Sequence, residues 1–273
     1  MGLAHTFALG LSVLASENEP ELPSLEDFLP PEILFAGTPF AMNRIIFVRC
    51  IATVAILLIL GITAARAKVM KPSKWQLAIE WLIEFVQNQI VYPIMGELKG
   101  KRYLPMITTM FLSILVFNLC GVIPGANIAA TATVMMPLAF ALWTMAQYWI
   151  AGIRAHGIWG YLKEELFPAG VPWPVYILLT PIKLLEIVII QPFSLTLRLF
   201  ANMISGHLLV AIMLAMTDFY LLKTPSMGLH FVGPLWFIGG FALTGFEMFV
   251  AALQAFIFSI LTCVYINQSL GEE

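Results

Sequence analysis

SLTLRLFANMISGH, Ser194–His207, puts two chargeable side chains, Arg198 and His207, inside an apolar stretch that runs from about Pro174 to Thr217. A second such stretch, about Phe231–Asn267, carries Glu247 and Gln254. A charge in the hydrocarbon interior of a bilayer costs several kcal/mol, roughly 2.5–3.5 on insertion scales, so such groups face protein or water and mark ion pathways. The stretches are 44 and 37 residues long. A helix of 37 residues runs roughly 55 Å at 1.5 Å per residue, whereas the hydrocarbon core is about 30 Å thick. Each stretch must therefore break, tilt steeply or protrude. Pro181 and Pro192 can kink the first, and Gly239, Gly240 and Gly245 can bend the second. A strongly tilted helical hairpin over residues 174–268 accounts for the lengths; several short re-entrant segments are the alternative.

The rest of the chain reads as membrane protein too. Of its 273 residues 60% are hydrophobic and 11% charged, too little charge to cover a soluble surface. A first span is expected over about Ile45–Ala65, a second over Leu104–Val122 and a third over Thr131–Ile150. Between the first two, Trp75–Val91 has Gln76, Glu80, Glu84, Gln87 and Asn88 three or four apart among Trp, Leu, Ile and Phe, the pattern of an amphipathic helix on the membrane surface. Two mid-helix glutamates make it a poor span. Residues 151–165, with Arg154, His156, Lys163, Glu164 and Glu165, read as a polar loop. The fold class is thus all-α: five membrane-crossing segments plus one amphipathic surface helix, the last two segments forming the tilted hairpin. Two domains are expected, an acidic N-terminal segment over 1–40 and a single membrane domain over 41–273. Residues 16–40 hold six acids and no Lys or Arg, and their prolines make them an extended segment. Residues 1–15 lack the basic start of a secretory signal.

Basic residues in short loops set the orientation. Arg66, Lys68, Lys71 and Lys74 follow the first span, Lys99, Lys101 and Arg102 precede the second, and Arg154 and Lys163 follow the third. With five crossings all of these fall on the cytoplasmic side, so the N-terminus lies outside and the C-terminus inside. Arg44 and Arg49, at the outer end of the first span, run against the rule and are accommodated by snorkelling.

Several functions find no residues to carry them. There is no GxxxxGK[ST], GxSxG or HExxH. Cys50, Cys120 and Cys263 are far apart in apolar runs and read as small buried hydrophobes. No cofactor, metal or nucleic-acid partner is expected.

Five ionisable groups lie in the two long stretches: Lys183, Glu186, Arg198, His207 and Glu247. Lys183 and Glu186, three apart, are either a helix-surface ion pair or part of a path. His207 is either a hydrogen-bond partner between helices or a proton carrier. In an antiparallel hairpin the residue numbers of neighbours add to a nearly constant total, and Arg198 with Gln254 gives nearly the same total as His207 with Glu247. Arg198 is thus expected level with Gln254, and His207 with Glu247, where a His and a carboxylate can share a proton. Asn202 shares a face with Arg198, and Gln254 with Glu247. Arg198 and His207, nine apart, fall on opposite sides of a straight helix, which requires either a distorted helix or service to different compartments.

The run Arg198-Leu-Phe-Ala-Asn202 with His207 in SGHLL, the segment FEMFVAALQAFIFSILTCVYI (Phe246–Ile266) and the turn NLCGVIPG (Asn118–Gly125) together resemble the signature of the subunit a family of F-type ATP synthases, in the family's order over about residues 37–270. The resemblance implies that Arg198 faces the carboxylates of the rotating c-ring, with Asn202 and Gln254 as polar neighbours. It implies that His207 and Glu247 form the acid–imidazole pair of an outer half-channel, and that Asn118, Asn127 and Thr131 are weaker candidates for its entrance. Many members carry a carboxylate where this chain has Lys183; here Glu186, one turn on, can substitute in the cytoplasmic half. The terminal Glu272 and Glu273 are candidates to collect protons on that side. The implied partners are the c-ring, peripheral-stalk b-type subunits and the lipid bilayer. The implied role is a stator subunit that couples proton flow to ATP synthesis in a bacterial plasma membrane, with no ATP site of its own.

Two other classes fit the residues less well. A secondary transporter usually shows repeated halves, and none is found here. A scaffold without an ion path does not account for the five intramembrane ionisable groups.

Overall fold

Prolines and glycines punctuate this chain more than charge does, and the helices follow them. The computed structural model describes residues 32–34, 42–68, 72–122, 133–167, 172–223 and 231–271. Expected features at Asn127, Thr131, Glu272 and Glu273 lie outside the described residues, as does most of segment 1–40. Two short strands, β1 (Glu32–Leu34) and β2 (Met42–Asn43), pair antiparallel. Everything else regular among the described residues is helical: α1 (Arg44–Ala65), α2 (Lys74–Val86), α3 (Tyr92–Val122), α4 (Met135–Leu166), α5 (Trp173–Leu185), α6 (Gln191–Asp218) and α7 (Gly233–Ser269).

Three π-helical turns link these elements: Gln87–Val91, Glu186–Ile190 and Phe219–Lys223. The first two each end two residues before a proline, Pro93 and Pro192. A proline ring clashes with the carbonyl four residues back and offers it no N–H. That carbonyl lies inside the π turn at both prolines, where the wider coil relieves the clash. Glycine supplies sharper breaks. Gly96 has φ 69° and ψ 172°, and Gly157 has φ 72° and ψ 168°, a region essentially closed to residues with a Cβ. The Gly96 kink separates α2 and the first turn of α3 from the apolar part of α3. Ser73 caps α2 by accepting from the Gln76 N–H at 3.2 Å, as N-cap serines do.

Two expectations need correction. The polar loop expected over 151–165 is helix: α4 continues to Leu166, because that segment holds no proline and, of its three glycines, only Gly157 leaves the helical region, kinking the helix without ending it. Gly239, Gly240 and Gly245 lie inside α7, which is one helix from Gly233 to Ser269. Cys263 is buried as expected, but Cys50 is exposed on α1, most of whose surface is left for lipid.

Four helical runs among the described residues are long and apolar enough to cross a membrane: Ile45–Ala65, Lys74–Val122, Trp173–Lys223 and Gly233–Ser269. The chain is therefore a multi-pass membrane protein. By composition α4 falls below these four, because Trp143, Thr144, Gln147, Tyr148 and Trp149 dilute its apolar half.

The chain divides into two compact units, Met1–Pro30 with Ile204–Phe249, and Pro31–Met203 with Val250–Glu273. In the second unit the core gathers one face from each of several helices: Ile107, Phe111 and Ile114 of α3, Ala141 and Tyr148 of α4, Leu195 and Leu199 of α6, and Ala255, Phe258, Cys263 and Ile266 of α7. These follow helical three-and-four spacing, so each helix turns one stripe inward. In lipid such contacts are held by close packing and interhelical hydrogen bonds rather than by the hydrophobic effect. Thr144 and Thr262 meet at 3.4 Å between hydroxyls, and the Tyr148 hydroxyl donates to the Ile187 carbonyl at 2.8 Å. Arg49, expected only to snorkel, donates to Thr133 Oγ1 and so has a protein partner. The end of α7 is held by Lys99, which donates to the Gly271 carbonyl at 3.3 Å, and by His156, whose Nε2 lies 3.1 Å from the Leu270 carbonyl oxygen.

In the first unit the described residues are the C-terminal part of α6 with its π turn and the N-terminal part of α7. A Cβ built on Gly240 would lie 3.4 Å from Met213 Cβ, and one on Gly239 3.7 Å from Met213 Sδ. The two glycines therefore let the helices approach closely, the use of small residues typical of membrane helix pairs.

Candidate functional site

Among the described residues the first unit holds one buried ionisable pair. His207, on α6, and Glu247, on α7, are 9% and 8% exposed. The His207 Nδ1 lies 3.3 Å from Glu247 Oε1, an ion-pair contact longer than a strong charge-assisted hydrogen bond. Pro and Gly are absent between Pro192 and Gly206, so α6 carries His207 on a regular helix. Antiparallel pairing with α7 then sets Glu247 opposite. The Nε2 of His207 has no protein partner among the described residues. The imidazole thus meets a carboxylate at one nitrogen and is open at the other, the arrangement that lets a ring pass a proton through.

Gly206 completes this pair, although it is not among the residues singled out from sequence. A Cβ on Gly206 would lie 2.9 Å from Glu247 Oε1 and 3.2 Å from its Cδ. The carboxylate packs against bare backbone there, so only glycine leaves it room beside His207. The signal was available: a small residue directly before a histidine in an apolar helix.

In the second unit, Leu195, Leu199 and Met203 bury one side of α6, and Arg198 sits at the edge of that side, near enough to Tyr265 of α7 to act on it electrostatically. Arg198 is exposed, and its side chain makes no hydrogen bond or ion pair among the described residues. Asn202, one turn on, is half-buried and has a partner. Gln254 is 5% exposed, and its Nε2 is unpartnered among the described residues. No hydrogen bond joins Arg198 to Gln254. Asn118 is fully buried and donates from Nδ2 to the Ala251 carbonyl at 3.4 Å, which ties the end of α3 to α7.

Lys183 and Glu186 make an ion pair, Nζ to Oε2 3.0 Å, with side chains about a third exposed. Glu186 opens the π turn whose next residue, Ile187, accepts the Tyr148 hydroxyl. Tyr148, absent from the candidates drawn from sequence, thereby anchors the backbone beside Glu186. Its polar tip in the apolar run MAQYW was the available clue. No cluster of three or more His, Cys, Asp or Glu that could hold a metal occurs among the described residues.

The candidate site is therefore a set of isolated polar groups in apolar helices, the kind of arrangement that marks ion pathways in membrane proteins. Comparison with known proteins points the same way. The family profile described as ATP synthase A chain matches residues 46–267. The chain is similar to the ATP synthase subunit a of Rhodococcus erythropolis, 35% identical over 265 residues that cover 97% of this chain and 95% of the relative. It is similar to that of Frankia alni at 34% identity, covering 95% and 89%, and to that of Magnetococcus marinus at 35%, covering 94% and 96%. With buried polar groups spaced along long apolar helices, and with a match spanning nearly the whole sequence, the chain belongs to the ATP synthase A chain family.

Proposed function

We propose that this chain is the stator subunit that carries protons past the rotating c-ring of a bacterial F-type ATP synthase, through two half-channels. The observation that carries the reading is the buried His207–Glu247 pair, 3.3 Å apart in a helix hairpin long enough to cross a membrane. A paired ionisable couple in an apolar helix is costly unless it works. On this reading a proton enters from outside by way of Glu247 and His207 and neutralises a c-ring carboxylate. The neutral carboxyl can travel through lipid, which a carboxylate does only at high cost. After nearly a full turn it meets Arg198. A guanidinium stays charged at any accessible pH and favours the ionised carboxylate, so the proton is released to the cytoplasm. That Arg198 is exposed, with no hydrogen bond or ion pair among the described residues, supports a role toward another subunit. The fixed positive charge also bars direct passage between the half-channels. Asn202 and Gln254 flank Arg198 as polar neighbours, Asn118, Asn127 and Thr131 line the outer entrance, and Lys183 with Glu186 serves the cytoplasmic exit. The driving force is about 2.3 kcal/mol per charge for each 100 mV.

The same reading has residues 41–273 act as one membrane domain crossing five times, with α2 on the surface and the last two crossings tilted. The N-terminus is outside and the C-terminus cytoplasmic. Peripheral-stalk b-type subunits hold the chain against rotation. Arg198→Ala tests the reading: ATP-driven proton pumping in inverted vesicles is abolished, while the detached ATPase still hydrolyses ATP. Coupled pumping at the unaltered rate overturns it.

A further inference from the structure

Within the second unit a groove of about 570 Å³ lies between α3 and α4, lined by Met106, Thr109 and Ser113 of α3 and by Ala139, Phe140 and Trp143 of α4. The proposed proton path uses none of these residues. The volume falls in the range of small-molecule sites, about 300–1,000 Å³. The lining requests no polar ligand. The Thr109 hydroxyl already donates to the Pro105 carbonyl, and that of Ser113 to the Thr109 carbonyl, both at 2.8 Å.

One end of the groove is charged. Arg102 precedes Met106, Thr109 and Ser113 by four, seven and eleven residues, which places it on the same stripe of α3. Arg154 follows Phe140 and Trp143 by fourteen and eleven, on the corresponding stripe of α4. The two helices run antiparallel. Met110 Sδ meets Thr144 Oγ1 at 3.7 Å, and the rings of Phe117 and Phe140 lie 6.0 Å apart, so higher numbers on α3 meet lower numbers on α4. Extended along α3, this register brings Arg154 to within about one turn of the level of Arg102. Both arginines are exposed, and neither side chain makes a hydrogen bond or ion pair among the described residues. An apolar groove in a membrane protein thus runs toward two available guanidiniums, Arg102 about one turn and Arg154 about three turns beyond the lining of their helices, planar groups whose paired N–H donors match phosphate oxygens.

We propose that this groove holds an anionic phospholipid of the surrounding bilayer in the assembled complex, with an acyl chain along α3 and α4 and the headgroup phosphate on Arg102 and Arg154. Charge complementarity selects this occupant. A free phosphate would use the arginines and leave the groove empty, and a zwitterionic lipid would use the groove but bring a cationic headgroup beside two guanidiniums.

The test uses the intact complex, purified in mild detergent and exchanged with phosphatidylglycerol bearing a photoactivatable acyl chain. Crosslinks are expected to concentrate in peptides containing residues 105–113 and 136–143. Phosphatidylcholine with the same chain should label them no more than it labels other lipid-facing helices. Each basic residue near an anionic headgroup contributes about fivefold to binding, so Arg102→Gln with Arg154→Gln should lower the labelling by roughly 25-fold. Ala139→Phe, which fills the groove, should lose the labelling with both arginines in place. Should that variant fail to assemble, the arginine pair, at exposed positions, carries the test. Even labelling of all lipid-facing helices, equal labelling by the neutral lipid, or protection of both peptides by a protein subunit overturns the proposal.

Discussion

Gly206→Ala separates the chemistry of the His207–Glu247 pair from the stability of the fold. The new methyl carbon would sit 2.9 Å from Glu247 Oε1, 3.2 Å from Cδ and 3.3 Å from Cγ, against roughly 3.5–4.0 Å for an unstrained contact. All three atoms belong to one carboxylate-bearing side chain, so the strain is relieved when that side chain swings away by about half an ångström or more. Backbone need not move. Alanine also favours the helix by roughly 0.5–1 kcal/mol over glycine, which offsets much of the crowding, so the net change in stability should be under about 1 kcal/mol. Function should respond far more strongly. The imidazole–carboxylate contact starts at 3.3 Å, already long. Misplacement of a reacting group by about 1 Å can cost about a hundredfold in rate, so a shift of half that size should cost about tenfold. The assay is passive proton conductance of membrane vesicles stripped of the soluble ATPase, with the amount of assembled chain measured in the same preparation. Slower flux at equal assembly is the expected result. Unaltered flux would refute a proton path through Glu247 as placed here, and parallel loss of flux and assembly would refute the claim that the crowding is local.

Glu247→Gln keeps the shape of the pair but removes its exchangeable acid, and it should slow passive proton flux severely; unchanged flux at every pH removes Glu247 from the path. Gly96→Ala forces a Cβ into backbone with φ 69° and ψ 172°, at a cost of about 1–3 kcal/mol; the thermal unfolding midpoint of the purified chain should fall, and an unchanged midpoint would mean the kink is not maintained. Gly152→Ala would bring a Cβ to 2.3 and 2.5 Å from ring atoms of Tyr161, a rigid neighbour, costing about 1–3 kcal/mol. In a Tyr161→Ala background the same Gly152→Ala change should cost much less in the same unfolding assay, and an undiminished cost would show that the ring is not the obstacle.

The contrast between Gly206 and Gly152 shows why part of the site could be read from sequence and part could not. Helix length and apolar periodicity are local properties, so the first span, the amphipathic segment and the long last stretch were legible with bounds close to those observed: Ile45–Ala65 expected against Arg44–Ala65, Phe231–Asn267 against Gly233–Ser269. The pairing of His207 with Glu247 was legible too, because an antiparallel hairpin leaves only one register free. The role of a glycine is not local. In the same kind of helix, Gly239 and Gly240 admit a methionine, Gly206 admits a carboxylate, Gly152 admits a tyrosine ring and Gly96 bends the backbone. Only the neighbour, or the dihedral angles, distinguishes them. The helical extension of α4 through residues 151–165 was missed because solvated charges look alike on a loop and on a helix surface.

By itself, then, the sequence determined that this is a multi-pass helical membrane protein, which helices are too long for an upright span, and which few ionisable groups they carry. Those follow from chain length, side-chain transfer energies and the cost of an unsatisfied charge, all additive along the chain. Tertiary structure decided which side chains are buried: Arg198 exposed, Gln254 buried, Arg102 and Arg154 exposed beyond one end of a groove. These depend on how helices distant in sequence pack, and packing is a property of surfaces in contact, which no single segment carries.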